Sequence, residues 1–175
     1  PDILENFDEV ETMALILDLR FNKDSTFDSV QKVASEFLSE DLLMYELDDG
    51  DRRKDWEVVG GGDAINDLPM VAIVREGTAR AAEVLAGAQR DAERAVIIGD
   101  RTSGESSESV FKELSDGSAM KLLIFRWYTP SGTRIPDQGI EPDTVVSFTN
   151  EDRMSGFDPQ LSEAYEYLDS QLPLF

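Results

Sequence analysis

The chain has 175 residues, a length that suits one globular domain, and its 41% apolar content is enough to bury a single core. Lys and Arg number 16 against 37 Asp and Glu, a net charge of −21. Such a surface repels phosphate backbones and anionic headgroups, so nucleic acid and ordinary membrane surfaces are disfavoured as partners, and basic peptides are the class that bulk charge would attract. With no cysteine and no histidine, disulfides, thiol catalysis, a Ser-His-Asp triad and an ordinary zinc site are all excluded within this chain, and no cofactor is expected.

From the amino terminus, Ile3, Leu4, Phe7 and Val10 fall at helical spacing and predict a short amphipathic helix over Asp2 to Thr12. Met13 to Leu19 is a continuous apolar run broken only by Asp18, the pattern of a buried parallel strand. Thr26 to Leu38 sets Phe27, Val30, Val33, Ala34, Phe37 and Leu38 on one helical face. Leu42 to Leu47 reads as a strand. A charged turn, Asp48 to Asp55, follows it, then a second strand at Trp56 to Val59. The Asp48-Asp-Gly-Asp51 cluster lacks the alternating carboxylates and distal glutamate of a calcium loop, so a turn is the better reading.

After the Gly60-Gly-Gly62 break, Pro69 to Val74 predicts another buried strand, and a long helix over Ala79 to Ala92 follows the Gly77 turn. Arg94 to Ile98 is a strand, and the polar stretch Arg101 to Ser109 a loop. Lys121 to Tyr128 and Thr144 to Phe148 are further strands. Asp158 caps a terminal helix with Pro159 at its first turn. Strands alternating with helices predict one α/β domain with right-handed crossovers. No apolar run reaches the roughly 18 residues needed to cross a bilayer.

The run from Val71 to Asp91, with Glu76-Gly-Thr-Ala-Arg80-Ala-Ala-Glu-Val84 at its centre, resembles the nucleophile segment of the C-terminal processing (tail-specific) serine peptidases. Leu15-Ile-Leu-Asp-Leu-Arg20-x-Asn22, Asp116-Gly-Ser-Ala-x-Lys121, Arg126-Trp-Tyr-Thr-Pro-Ser-Gly132, Gly139-Ile-Glu-Pro-Asp143 and Asp158-Pro-Gln-Leu161 resemble further blocks of that family, in the same order and spacing. The resemblance implies a crotonase/Clp-protease-like α/β core spanning residues 1–175. Many members of the family carry a PDZ module inserted in or preceding this core; the 175 residues contain neither that module nor the strand that precedes the first helix, so further sequence ahead of Pro1 is expected, as is an extracytoplasmic location.

The resemblance further implies where catalytic groups belong. Arg80 stands at the family's nucleophilic serine, Glu105 at its general-base lysine, and Ser109 at the glutamine that positions the lysine. The family's glycine-rich oxyanion corner is replaced by Asn22-Lys23-Asp24-Ser25, so Asp24 and Ser25 occupy it. A guanidinium neither attacks a carbonyl nor serves as a base, and an Asp at the corner opposes a developing oxyanion.

The reading that follows is a catalytically inactive homologue. It would retain a peptide-binding, scaffolding or assembly role, with Gly77, Thr78, Ala79, Arg80 and Ala81 lining the peptide groove. Arg80 and Glu105 are expected to form an ion pair across the vacated site. A peptide or protein tail, a second copy of the chain or an active paralogue are the expected partners. Two alternatives stand beside it: an active peptidase with a rearranged site drawing on Ser103, Ser106, Ser107 or Ser109, and a carrier of small hydrophobic ligands.

Overall fold

The structure is a computed structural model describing residues 12–23, 25–38, 42–59, 68–105, 107–135 and 137–172. The helix expected over the first residues lies outside the described ones. Strand β1 (Leu15–Asp18) leads to helix α1 (Phe27–Phe37), then to β2 (Leu42–Leu47) and β3 (Arg53–Glu57). Next come β4 (Met70–Val74), α2 (Ala81–Asp91), β5 (Val96–Gly99), β6 (Ser107–Glu113), β7 (Ala119–Tyr128) and β8 (Thr144–Val145). Two helices close the chain, α3 (Asn150–Ser155) and α4 (Pro159–Gln171).

Two four-stranded sheets result. One is parallel in the order β1-β4-β5-β8, and the other is antiparallel in the order β3-β2-β7-β6. Strand β4 sits inside the parallel sheet, and all five of its residues are buried, which is why its sequence is an unbroken apolar run. Its side chains alternate between two cores. Met70, Ala72 and Val74 join α1, α2 and β2, while Val71 and Ile73 join Ile98 and the Ala164 and Leu168 side of α4.

Helix α2 is buried from Ala81 through Gln89, hence its run of Ala and Gly. A Cβ on Gly87 would stand 2.6 Å from the Thr129 methyl, so the helix could not approach the Thr129 turn with any larger residue there.

Several boundaries depart from the sequence reading: β5 begins at Val96 instead of Arg94, β7 at Ala119 instead of Lys121, and β8 ends at Val145 instead of Phe148. Strand β3 begins at Arg53 rather than Trp56, because Arg53, Lys54 and Asp55 pair with Leu47, Glu46 and Tyr45 while their side chains stay in solvent. Charge on an edge strand costs nothing while its outer face is wet. The loop expected over Arg101 to Ser109 ends early, since β6 starts at Ser107 and pairs with β7 through Glu113. Helix α3 was not anticipated. Thr149 and Asp152 close a capping box at its start, and Gly156 ends it at φ 75°.

The charged turn is confirmed: the Asp48 carboxylate accepts the N–H groups of Gly50 and Arg52. Trp56 and Trp127 flank Phe27 at ring-centroid distances of 4.6 and 6.3 Å, as core residues. Among the described residues, no helix is long and apolar enough to cross a membrane.

Just after β1, Arg20 is 7% exposed and ties that strand's end to the start of α4. Its guanidinium donates to both oxygens of Asp18 at 2.9 and 2.7 Å and to Asp158, the cap of α4, at 2.6 Å. Burial pushes the Asp18 carboxyl up, but hydrogen bonds from the Arg20 side chain and backbone, together with its charge, outweigh burial and hold it below the usual range.

A depressed folded pKa stabilises above the unfolded value near 4, and the contribution disappears as pH falls through the folded pKa. Asp18→Asn should therefore cost about 1–2 kcal/mol at pH 7, the lower part of the range because Asp18 is partly exposed. In thermal melts against pH, the gap between wild type and variant should be widest well above pH ~4 and shrink as the pH falls below it.

Candidate functional site

Three loops meet at the carboxyl ends of the parallel strands, the place where open α/β sheets bind ligands. They are the β1–α1 loop, the β4–α2 turn and the β5–β6 loop. The Thr78 hydroxyl donates to the Leu19 carbonyl at 2.8 Å, Ala79 N–H to the Asn22 carbonyl at 3.2 Å, and Ser103 N–H to the Thr78 carbonyl at 3.1 Å. A Cβ on Gly77 would lie 2.4 Å from the Arg20 carbonyl oxygen, so glycine is what lets the turn lie against β1.

Arg80 is the N-cap of α2, with φ 57° and ψ −123°. This conformation is strained for any residue with a Cβ and costs about 1–3 kcal/mol. A strained residue on a sharp strand-to-helix turn is the architecture of a nucleophile elbow, which lifts one side chain clear of the sheet. Arg80 is exposed there.

Glu83, three residues on, is completely buried. One oxygen accepts the Thr102 hydroxyl at 2.5 Å and Gly104 N–H at 2.6 Å, and the other accepts Arg80 N–H at 3.1 Å. The same carboxylate thus fixes the elbow and clamps the β5–β6 loop beside it. Thr102 continues the chain of bonds by accepting Ile140 N–H at 2.7 Å. Sequence reading missed Glu83 as a functional residue, although an acid three residues after a helix N-cap is the spacing of a capping box.

The expected site residues are only partly assembled. Among the described residues no ion pair joins Arg80 to Glu105, which corrects that expectation. Glu105 is exposed, its N–H donating to the Ser103 hydroxyl at 3.2 Å; the β5–β6 loop is held through Glu83, so nothing draws Glu105 inward. Of the five residues expected to line a groove, Thr78, Ala79 and Ala81 are buried, and the Thr78 hydroxyl is spent on Leu19. Only Gly77 and Arg80 reach the surface. Ser109 lies in β6 opposite Leu123. Ser25 is half-buried with its hydroxyl unbonded, and Asp24 lies outside the described residues.

An open cleft of about 450 Å³ adjoins these loops, lined by Arg20, Phe21, Lys23, Arg75, Glu76, Gly77, Ser103, Glu105 and Arg153. A second, of about 730 Å³, shares Phe21 and Lys23 with it and adds Asp18, Asn22 and Ser25. No group of acidic side chains among the described residues is placed to hold a metal ion.

Removing the Glu83 carboxylate strands the buried Thr102 hydroxyl and the half-buried Gly104 N–H, and releases Arg80 N–H. Glu83→Ala should therefore cost about 2–4 kcal/mol in urea denaturation. Glu83→Gln, which keeps one acceptor oxygen, should lose roughly half of that.

Residues 2–146 match Peptidase family S41. The chain is 36% identical over 131 residues to carboxyl-terminal-processing peptidase 2 of Arabidopsis thaliana chloroplasts, covering 74% of this chain and 25% of that protein. It is 34% identical over 137 residues to a probable CtpA-like serine protease of Staphylococcus haemolyticus, covering 77% and 27% respectively. Among solved structures, the photosystem II D1 C-terminal processing protease superposes with a TM-score of 0.72 at 32% identity, over 83% of this chain and 37% of that one. A peptidase-like structure from Parabacteroides merdae shares the fold with a TM-score of 0.83 at 23% identity, over 98% and 58%. The chain spans a quarter to a third of the length of the curated relatives it matches. Fold, ordered sequence blocks and these matches agree: the chain belongs to peptidase family S41, a family of serine peptidases.

Proposed function

We propose that this chain is a non-hydrolytic member of the family, one that holds a peptide or protein tail as a scaffold or assembly element instead of cutting it. The observation that carries this reading is Arg80 itself: the strained elbow backbone is present, and the side chain it raises is a guanidinium. Acyl transfer needs a nucleophile there. Arginine stays protonated at every ordinary pH, so it has no lone pair to attack a carbonyl or accept a proton.

The neighbouring positions support the same reading. Glu105 replaces the amine that would activate a serine, and it stands exposed without a bond to Arg80. Ser109 replaces the residue that would orient that amine, and Asp24 and Ser25 replace the glycine corner whose N–H would face the oxyanion. A tail could still bind by strand-like main-chain pairing, which requires an accessible backbone and no catalytic side chain. An active paralogue or a second copy of the chain could complete such an assembly.

One observation favours a second reading, an active site rebuilt around a serine. The Ser103 hydroxyl lies 3.4 Å from a Glu83 oxygen, a hydroxyl beside a carboxylate. Glu83, however, already accepts three shorter bonds, which leaves Ser103 only a long fourth contact. The carrier reading has less support, since both clefts are lined mainly by charged and polar side chains.

The purified chain should leave casein and carboxyl-terminal test peptides intact over hours while binding the peptides in calorimetry. Cleavage that disappears in Ser103→Ala, with the fold intact by circular dichroism, would establish the rebuilt-site reading instead.

A further inference from the structure

In a chain with 37 acidic and 16 basic residues, every cation has more than two carboxylates to choose from. Most arginines use them: Arg52, Arg53, Arg90, Arg101, Arg126 and Arg134 each hold an acid within ion-pair distance. Lys23, Arg75 and Arg153 form no ion pair among the described residues, and all three line the cleft of about 450 Å³ beside the elbow. They come from three separate segments, the β1–α1 loop, the β4–α2 turn and α3, so no local charge pattern along the chain accounts for their meeting.

Arg75 is held by rings rather than by carboxylates. Its guanidinium carbon lies 5.5 Å from the centre of the Phe21 ring and 5.4 Å from that of Phe148. Ring faces steady a guanidinium while leaving its charge and its N–H donors unspent. Phe21 is 77% exposed, an aromatic face in solvent at the same cleft. Arg20 lines the cleft as well, but its charge is taken by Asp18 and Asp158. The exposed Glu76 and Glu105 are also in the lining, and neither reaches the three cations as an ion-pair partner.

We propose that this cleft binds a carboxylate-bearing peptide segment, with the anionic group held by Lys23, Arg75 and Arg153 and an adjacent apolar side chain laid against Phe21. The proposal rests on the peptide-holding reading above and specifies the chemistry of what is held. It reverses the expectation from bulk composition: the surface at large would attract basic peptides, whereas the cleft selects acidic ones. Planar guanidinium groups and carboxylates make short, charge-assisted, two-pronged bonds, which is why a carboxylate fits better than a neutral amide.

Calorimetric titration of the chain with four acetylated peptides tests this: Ala-Ala-Phe-Ala as free acid, the same peptide amidated, Ala-Glu-Phe-Ala amide and Ala-Lys-Phe-Ala amide. At least one of the two carboxylate peptides should bind about tenfold tighter than the neutral amide, and the lysine peptide should bind weakest. Which of the two is favoured tells a chain-terminal carboxylate from a side-chain one. Arg75→Gln and Arg153→Gln should each erase most of that preference while leaving the neutral amide's affinity unchanged, and Glu105→Gln should enhance it. If all four peptides bind alike, or the glutamine variants keep the preference, the carboxylate site is wrong and the peptide-holding reading survives. If no peptide binds, both are wrong.

Discussion

The Glu83 carboxylate is the contact on which the site's geometry depends. A completely buried acid in a chain of net charge −21 is costly unless its oxygens are satisfied, and here they accept bonds from three separate points of the backbone and side-chain framework. Each bond ties α2 to something outside itself. Gly104 N–H and the Thr102 hydroxyl bring in the β5–β6 loop, and Thr102 in turn receives Ile140 N–H from the segment before β8. The loop that carries Glu105 is therefore positioned by Glu83, and residue 105 can change without moving the loop.

The same logic explains why Arg80 keeps a strained backbone. Relaxing it would require α2 to start elsewhere, yet α2 is buried over most of its length and the turn before it lies against β1 at Gly77. Thr78 and Ala79 fasten that turn to Leu19 and Asn22. Packing on both sides sets the dihedral angles of residue 80. The contacts that hold the elbow lie largely in buried residues, Thr78, Ala79 and Glu83 among them.

This division also governs what could be read from the sequence. β4 and α1 are legible because burial imposes a period on them: an unbroken apolar run in one, and a 3.6-residue stripe from Phe27 to Phe37 in the other. Arg80 and Glu105 stand out only against the resemblance to the family's sequence blocks. The start of β6 is not legible, since Ser107 to Ser109 has the composition of a loop and gains its strand form only by pairing with Arg126, Phe125 and Leu123 far along the chain. Whether Arg80 meets Glu105 is equally hidden, because long exposed side chains lose entropy on pairing for little gain and no sequence pattern fixes their rotamers.

The cationic cleft marks the limit of composition as a guide. Net charge sums over a surface, whereas recognition is local: within a Debye length of about 8 Å at physiological salt, the nearest few charges set the potential. Lys23, Arg75 and Arg153 each have one acid beside them in the chain, Asp24, Glu76 and Asp152, as any base in so acidic a sequence would. What separates them from the paired arginines is the company the fold gives them, two phenylalanine rings in place of a carboxylate for Arg75 and a shared cleft for all three. Among the described residues, a cation without an ion pair where acids outnumber bases more than two to one has forgone an easily found partner. A convergence of three such cations beside a fixed elbow is the arrangement a ligand carboxylate would complete.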